Sequence, residues 1–169
     1  MSDKFKAIVI DNQNEKFSRE IKEIDKSDLK DGNVLVKVDY SSLNYKDALI
    51  LNDGGKIVRK FPFVPGIDFS GKVIESEDSK FKKDDNVILT GFGVGEAYFG
   101  GFAQYAKVDS NFLIKTPKDL DNHKAMMLGT AGFTALLCAF AVKAREELLL
   151  GEKVKDVLVT GATGGVGSI

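Results

Sequence analysis

The stretch that most constrains the fold is Val157-Leu-Val-Thr-Gly-Ala-Thr-Gly-Gly-Val-Gly-Ser168. An apolar run over residues 157–159 enters a glycine-rich turn with the spacing Ala162-x-Gly164-x-x-Gly167. A strand feeding such a turn is a dinucleotide-binding fingerprint, here with alanine in the first glycine place. The residue types follow from the chemistry. The chain must turn sharply out of the strand, its backbone must approach a pyrophosphate closely, and helix N–H groups must face the anion. Ala162, Gly164, Gly165, Val166, Gly167 and Ser168 are therefore candidate cofactor-binding residues. A plain glycine-rich turn is the alternative, and the apolar strand ahead of it argues for the fingerprint. The ribose-reading residue that such a unit places about 20 residues further on is expected beyond residue 169.

Ahead of the fingerprint the texture is that of short strands. Residues 5–10 and 17–24 read as strands, and Val34, Val36, Val38 and Tyr40 alternate with Lys37 and Asp39 as a half-buried one. The period changes at Ser41, and residues 47–51 read as a short helix stopped by Gly54 and Gly55. Pro62 and Pro65 make a rigid elbow, because each proline fixes its own φ and extends its predecessor. Residues 67–74, 87–90, 102–108 and 112–115 follow as strands, with Gly91, Gly93 and Gly95 breaking the chain between them. Seven or eight strands at this spacing predict an all-β barrel over residues 1–118. After Pro117 the pattern becomes helical, with Asp and Asn near its start, and the boundary is placed there. Residues 119–169 are then the beginning of an α/β cofactor-binding domain, giving a mixed fold class.

Composition narrows the function classes. Net charge is −1, from 24 basic and 25 acidic residues, which gives no reason to expect nucleic acid or an anionic membrane as partner. A single cysteine, Cys138, excludes an internal disulfide framework and any cysteine-rich metal site. The first residues carry no apolar run of the secretory kind, so a cytoplasmic location is expected. Residues 125–142 hold no charged side chain, near the lower limit of about 18 for a membrane span. Gly129 and Gly132 interrupt them, so a buried helix pair is the preferred reading.

Six segments, in order, carry a resemblance. They are Ser41-Ser-Leu-Asn-Tyr-Lys-Asp-Ala48, Phe61-Pro-x-x-Pro-Gly-Ile-Asp-Phe-Ser-Gly71, Leu89-Thr-Gly-Phe-Gly-Val-Gly-Glu96, Gly100-Gly-Phe-Ala103, Gly129-Thr-Ala-Gly-Phe-Thr-Ala135 and the fingerprint. Together they resemble the medium-chain dehydrogenase/reductase superfamily, in the quinone-oxidoreductase-like branch that includes NADPH-dependent acrylyl-CoA reductases. The resemblance implies a GroES-like β-barrel followed by the start of a Rossmann domain, incomplete in this chain because family members are much longer. It implies NADPH as cofactor, a small acyl-CoA or enone substrate, and a homodimer. It also implies independence of zinc. The family's zinc-binding cysteine and histidine places look like Asn44 and Ile67, which offer neither thiolate nor imidazole.

The implied reaction is hydride transfer to the β-carbon of an α,β-unsaturated thioester, converting acrylyl-CoA to propanoyl-CoA. Quinone or enone reduction is the enzymatic rival. A non-catalytic nucleotide-binding protein or an inactive fragment is the rival of another class. Tyr45 is expected to touch the nicotinamide or donate a proton, against the plainer reading of a half-buried barrel aromatic. Asn44 either hydrogen-bonds the cofactor ribose or occupies a left-handed turn. Asp47 is expected in the cap or first turn of the short helix, with tuning of Tyr45 as the rival role, and Lys46 in solvent. Asp68, inside an apolar strand, must be paired and is a supporting residue. Thr130 and Thr134 either reach the nicotinamide carboxamide or pack their helix. Gly91, Gly93 and Gly95 either line a substrate mouth or are simply a loop. His123 is expected in solvent and Cys138 in the core. Lys56, Arg59 and Lys60 could meet coenzyme A phosphates, although a solvated face is the plainer reading.

Overall fold

The computed structural model describes residues 3–13, 16–53, 56–148, 154 and 156–169. The chain divides into two units, Met1–Gly129 and Thr130–Ile169.

Strand β1 (Lys4–Gln13) and strand β2 (Lys16–Asp25) pair antiparallel as a hairpin. A second sheet holds β3 (Val34–Tyr40), β4 (Asp68–Ser76), β5 (Asn86–Thr90), β6 (Tyr105–Val108) and β7 (Ile114–Lys115) in the order β6-β3-β4-β5-β7. Helix α1 (Tyr45–Asp53) lies between β3 and β4 in sequence. The residues ahead of β6 join the two sheets. Ile8 donates its N–H to the Phe102 carbonyl at 2.8 Å, and Gln104 donates to Lys6 at 3.0 Å. The strand expected over 102–108 is therefore shared: its first residues bond to β1, Tyr105–Val108 pairs with β3, and the Gln104 carbonyl accepts the Val38 N–H at 3.0 Å.

The core lies against this sheet. Val34 and Val36 of β3 pack with Phe69, Val73, Val87, Leu89 and Ala106. Leu35, on the opposite face, packs with Phe5, Val9, Leu29 and Val64. The start of β3 is thus covered on both faces, where the sequence suggests a half-buried strand. Alternation holds only over residues 37–39, and Tyr40, expected on the inner face, is 45% exposed. The proline elbow is anchored by the backbone bonds that Phe63 and Ile10 exchange at 2.8 and 2.9 Å.

Helix α2 (Asn122–Leu148) begins after Asp121, whose carboxylate accepts the Lys124 N–H at 2.7 Å as a cap. It is broken at Gly129, which adopts φ 50° and ψ −153°. The expected pair of helices is present; Ala125 and Met126 of its first member are buried, but its second member is not covered as expected. Phe133 is 54% and Phe140 62% exposed, and Cys138 is exposed rather than in a core. By length and composition alone, residues Asn122–Arg145 could cross a membrane. The strand expected at 157–159 is also absent: Val157, Leu158 and Val159 are irregular and exposed. A strand is held by ladder bonds to a neighbour, and among the described residues none pairs with this segment. The helix stop expected at Gly54–Gly55 lies outside the described residues.

Candidate active site

The site in the first unit is built at the start of α1. Asn44 is the residue before the helix, and its carbonyl accepts the first turn's Ala48 N–H at 3.1 Å. Asp47, three residues on, returns the bond: one carboxylate oxygen accepts the Asn44 N–H at 2.8 Å. This is the reciprocal half of a capping box. The other oxygen accepts the Ile67 N–H at 3.1 Å, tying the helix to the elbow ahead of β4. Asp47 is fully buried, and that burial pushes its carboxyl above the usual carboxylate range. The accepted N–H bonds oppose the shift, and the neighbouring Asp68 adds to it.

Asp68 opens β4 and is likewise fully buried. It accepts the Ser42 N–H at 2.9 Å, the Ser42 hydroxyl at 2.6 Å and the Asn44 side-chain amide at 3.1 Å. The expectation of a paired, supporting carboxylate holds. Gly129 closes over the same group. A Cβ there would sit 2.8 Å from the Ser42 hydroxyl and 3.2 Å from an Asp68 oxygen, and its φ of +50° favours glycine independently.

The result is a rigid loop carrying one exposed aromatic. Tyr45 opens α1, and it is 82% exposed. It is therefore not the half-buried barrel aromatic of the plainer reading. Asn44 does not take the left-handed conformation, since the non-glycine residues with positive φ are Lys56, Asp84 and Phe92. Lys46 is not simply solvated: it pairs with Glu96 at 2.9 Å. His123 is exposed, yet its ring lies 5.1 Å from that of Tyr40. Gly91, Gly93 and Gly95 all take positive φ in the loop after β5, beside Phe92, whose ring stacks on Phe112 at 5.0 Å. Among the described residues, no group of three or more His, Cys, Asp or Glu side chains could hold a metal ion.

Ser42 and Glu96 are the residues that sequence reasoning passed over. The capping spacing from Asn44 to Asp47 is visible locally. Ser42 gives no local signal, because its partner Asp68 lies 26 residues away.

In the second unit, Gly164, Gly165, Val166 and Gly167 line one cavity of about 740 Å3, together with Ala135, Leu136 and residues 157–161. The turn is held by Gly164 N–H to the Gly161 carbonyl at 2.8 Å and Ser168 N–H to the Gly164 carbonyl at 3.0 Å. A Cβ at Gly167 would lie 2.3 Å from the Gly161 oxygen, so this position must be bare. Among the described residues nothing accepts from the N–H groups of Gly165, Val166 and Gly167. Ala162 and Ser168 are in the turn but not on that lining, and Thr130 and Thr134 are not on it either. The Thr134 hydroxyl donates to the Thr130 carbonyl at 2.8 Å, a bond within the helix.

Residues 30–118 match the alcohol dehydrogenase GroES-like domain. The chain belongs to the medium-chain dehydrogenase/reductase superfamily. Within it, this GroES-like chain is quinone-oxidoreductase-like. It is 48% identical over 167 residues to the acrylyl-CoA reductase AcuI of Ruegeria pomeroyi, covering 98% of this chain and 50% of that protein. The yhdH oxidoreductase of Salmonella enterica, solved in complex with NADP, superposes with a TM-score of 0.89 at 45% identity, covering 96% of this chain and 49% of that one. The Bacillus subtilis protein yhfP, solved with NAD bound, gives 0.85 at 36% identity, over 99% of this chain and 50% of that one. The chain therefore spans about half the length of the relatives it matches.

Proposed function

We propose that the protein takes part in the NADPH-dependent reduction of the C=C bond of an α,β-unsaturated acyl-CoA, with acrylyl-CoA as substrate and propanoyl-CoA as product. The observation that carries the cofactor half is the run of three N–H groups without acceptors at Gly165, Val166 and Gly167. Successive free N–H groups in a turn attract an anion, so they fit a pyrophosphate. Ala162, Gly164 and Ser168 belong to the same turn, whose internal bonds from the Gly164 and Ser168 N–H groups hold its shape, with Thr130 and Thr134 assigned to the nicotinamide end. A nicotinamide cofactor held by these residues would supply hydride chemistry toward the substrate β-carbon. The choice of NADPH over NADH is part of the proposal, since relatives are solved with either NADP or NAD.

The chain's own contribution lies around Tyr45. Asp47 and Asp68 hold the loop and the first turn of α1 in place, so the phenol is presented at the head of a fixed helix. From there its hydroxyl can donate to the oxygen on which negative charge grows, or supply the α-carbon proton. Asn44 is a positioning residue and a candidate contact to the cofactor ribose. Its amide already donates to Asp68, which fixes its orientation. The amide of Asn44 and the hydrocarbon of Ile67 lack zinc-ligand chemistry, which supports a zinc-independent reaction. A cytoplasmic location and a homodimer belong to the same reading.

The test is NADPH oxidation by the purified protein with acrylyl-CoA, with propanoyl-CoA identified as product. Turnover of acrylyl-CoA in preference to quinones and simple enones supports the reading. Turnover of quinones alone assigns the protein to the rival reductase class.

A further inference from the structure

Residues 56–60 carry three cations, Lys56, Arg59 and Lys60, all exposed. A charge run of this kind is ordinarily a solvated face. Two observations set this one apart. Arg59 and Lys60 border a cavity of about 410 Å3 with Ile57, Phe63, Glu96 and Ala97. That volume lies within the range of roughly 300 to 1,000 Å3 usual for small-molecule sites. The segment is also pinned at both sides, since Val58 and Phe63 are buried and Phe63 is bonded to Ile10. The two cations therefore stand on anchored backbone.

The charge balance is the second observation. Glu96 is the one carboxylate among the lining residues, and it is already committed to Lys46 at 2.9 Å. Among the described residues, neither Arg59 nor Lys60 makes an ion pair. The cavity thus offers two unneutralised cations above an apolar floor of Ile57, Phe63 and Ala97.

We propose that this cavity receives the phosphorylated adenosine end of the coenzyme A thioester. The proposal rests on the acyl-CoA reading above and adds the handle by which the substrate is held. Arg59 offers a planar fork that matches phosphate oxygens in pairs, and Lys60 offers a compact point charge. The apolar floor takes the uncharged part of the handle. The wall is tied to the proposed reactive end through Glu96, because its partner Lys46 follows Tyr45 in the chain.

The experiment compares acrylyl-CoA with acrylyl-pantetheine, which carries the same thioester without the adenosine phosphates. The wild type and the double variant Arg59→Ala/Lys60→Ala are assayed for KM on both thioesters and on NADPH. Both residues are exposed, and an unchanged melting temperature checks that the fold is intact. The double variant should raise KM for acrylyl-CoA roughly 10- to 100-fold. Its KM for acrylyl-pantetheine and for NADPH, and its kcat, should stay at wild-type values. Arg59→Lys should recover part of the loss. An unchanged KM for acrylyl-CoA, or an equal rise for both thioesters, overturns the proposal. A rise for NADPH instead assigns the cavity to the cofactor's phosphates and also overturns it. Equal wild-type KM values for the two thioesters remove the handle site while leaving the reductase reading intact. A wild type that reduces neither thioester removes both.

Discussion

The two units treat similar residues in opposite ways. In Met1–Gly129, Phe69, Val34 and Val36 are fully buried, and each fully buried carboxylate accepts two or more hydrogen bonds. In Thr130–Ile169, Phe133, Phe140 and Leu158 stand more than half exposed. The segment 157–159 has the apolar character of a strand and none of the ladder that makes one. An apolar pattern is thus a requirement for a strand but not a sufficient condition, because burial and backbone pairing must come from a neighbour. The units also divide the proposed chemistry. The first supplies a stiff loop with a presented phenol, and the second a turn with open N–H groups.

The largest difference between the units is expected when one apolar side chain in each is truncated. Phe69→Ala should lower the unfolding free energy by about 3–5 kcal/mol, through lost burial and a cavity. Leu158, at 89% exposed, should tolerate Ala within about 0.5 kcal/mol. Urea unfolding of both variants is the check. Comparable losses would mean that Leu158 is covered in solution and that the contrast is wrong.

Asp68→Ala sharpens the account of the stiff loop. It strands the Ser42 N–H and hydroxyl and the Asn44 amide, a loss of about 1–3 kcal/mol. Hydrogen exchange at the Ser42 amide should rise with it. Wild-type protection there would show that the loop is held by something else.

A smaller effect is expected from Asp47, and its sign follows from linkage. Burial raises the Asp47 carboxyl, so the folded state binds its proton more tightly than the unfolded chain does. Its contribution to stability is therefore most favourable at acid pH. It is lost as pH rises from the ordinary carboxylate range through the raised value. Asp47→Asn should remove that slope while keeping one acceptor for the two N–H groups. Unfolding free energy measured across acid to neutral pH would show the wild type falling relative to the variant. Parallel curves would mean that the carboxyl is not raised.

Much of the barrel was legible in the sequence. The alternation of Val34, Val36 and Val38 placed β3, and the proline elbow placed the turn into β4. The capping spacing of Asn44 and Asp47 is local and could have been read further than it was. Three things were not legible. Leu35 is buried by β1 and its neighbours, so both-face burial depends on a distant segment. Ser42 meets Asp68 only through the fold. The pairing of Lys46 with Glu96 joins residues 50 positions apart. The helix pair is legible too, but the burial expected for its second member, in the second unit, is not found, because apolar composition says nothing about what covers it.

Tyr45, left exposed at the head of a helix that Asp47 and Asp68 anchor, is proposed to be there for chemistry. Single-turnover hydride transfer from NADPH to acrylyl-CoA in Tyr45→Phe tests it most directly, with thermal unfolding of the same variant as control. Loss of one transition-state hydrogen bond should slow transfer roughly 10- to 1,000-fold, with an unchanged melting temperature because the ring is in solvent. Transfer at the wild-type rate would contradict the chemical role of the hydroxyl, and wild-type transfer in Tyr45→Ala as well would remove the residue from the site.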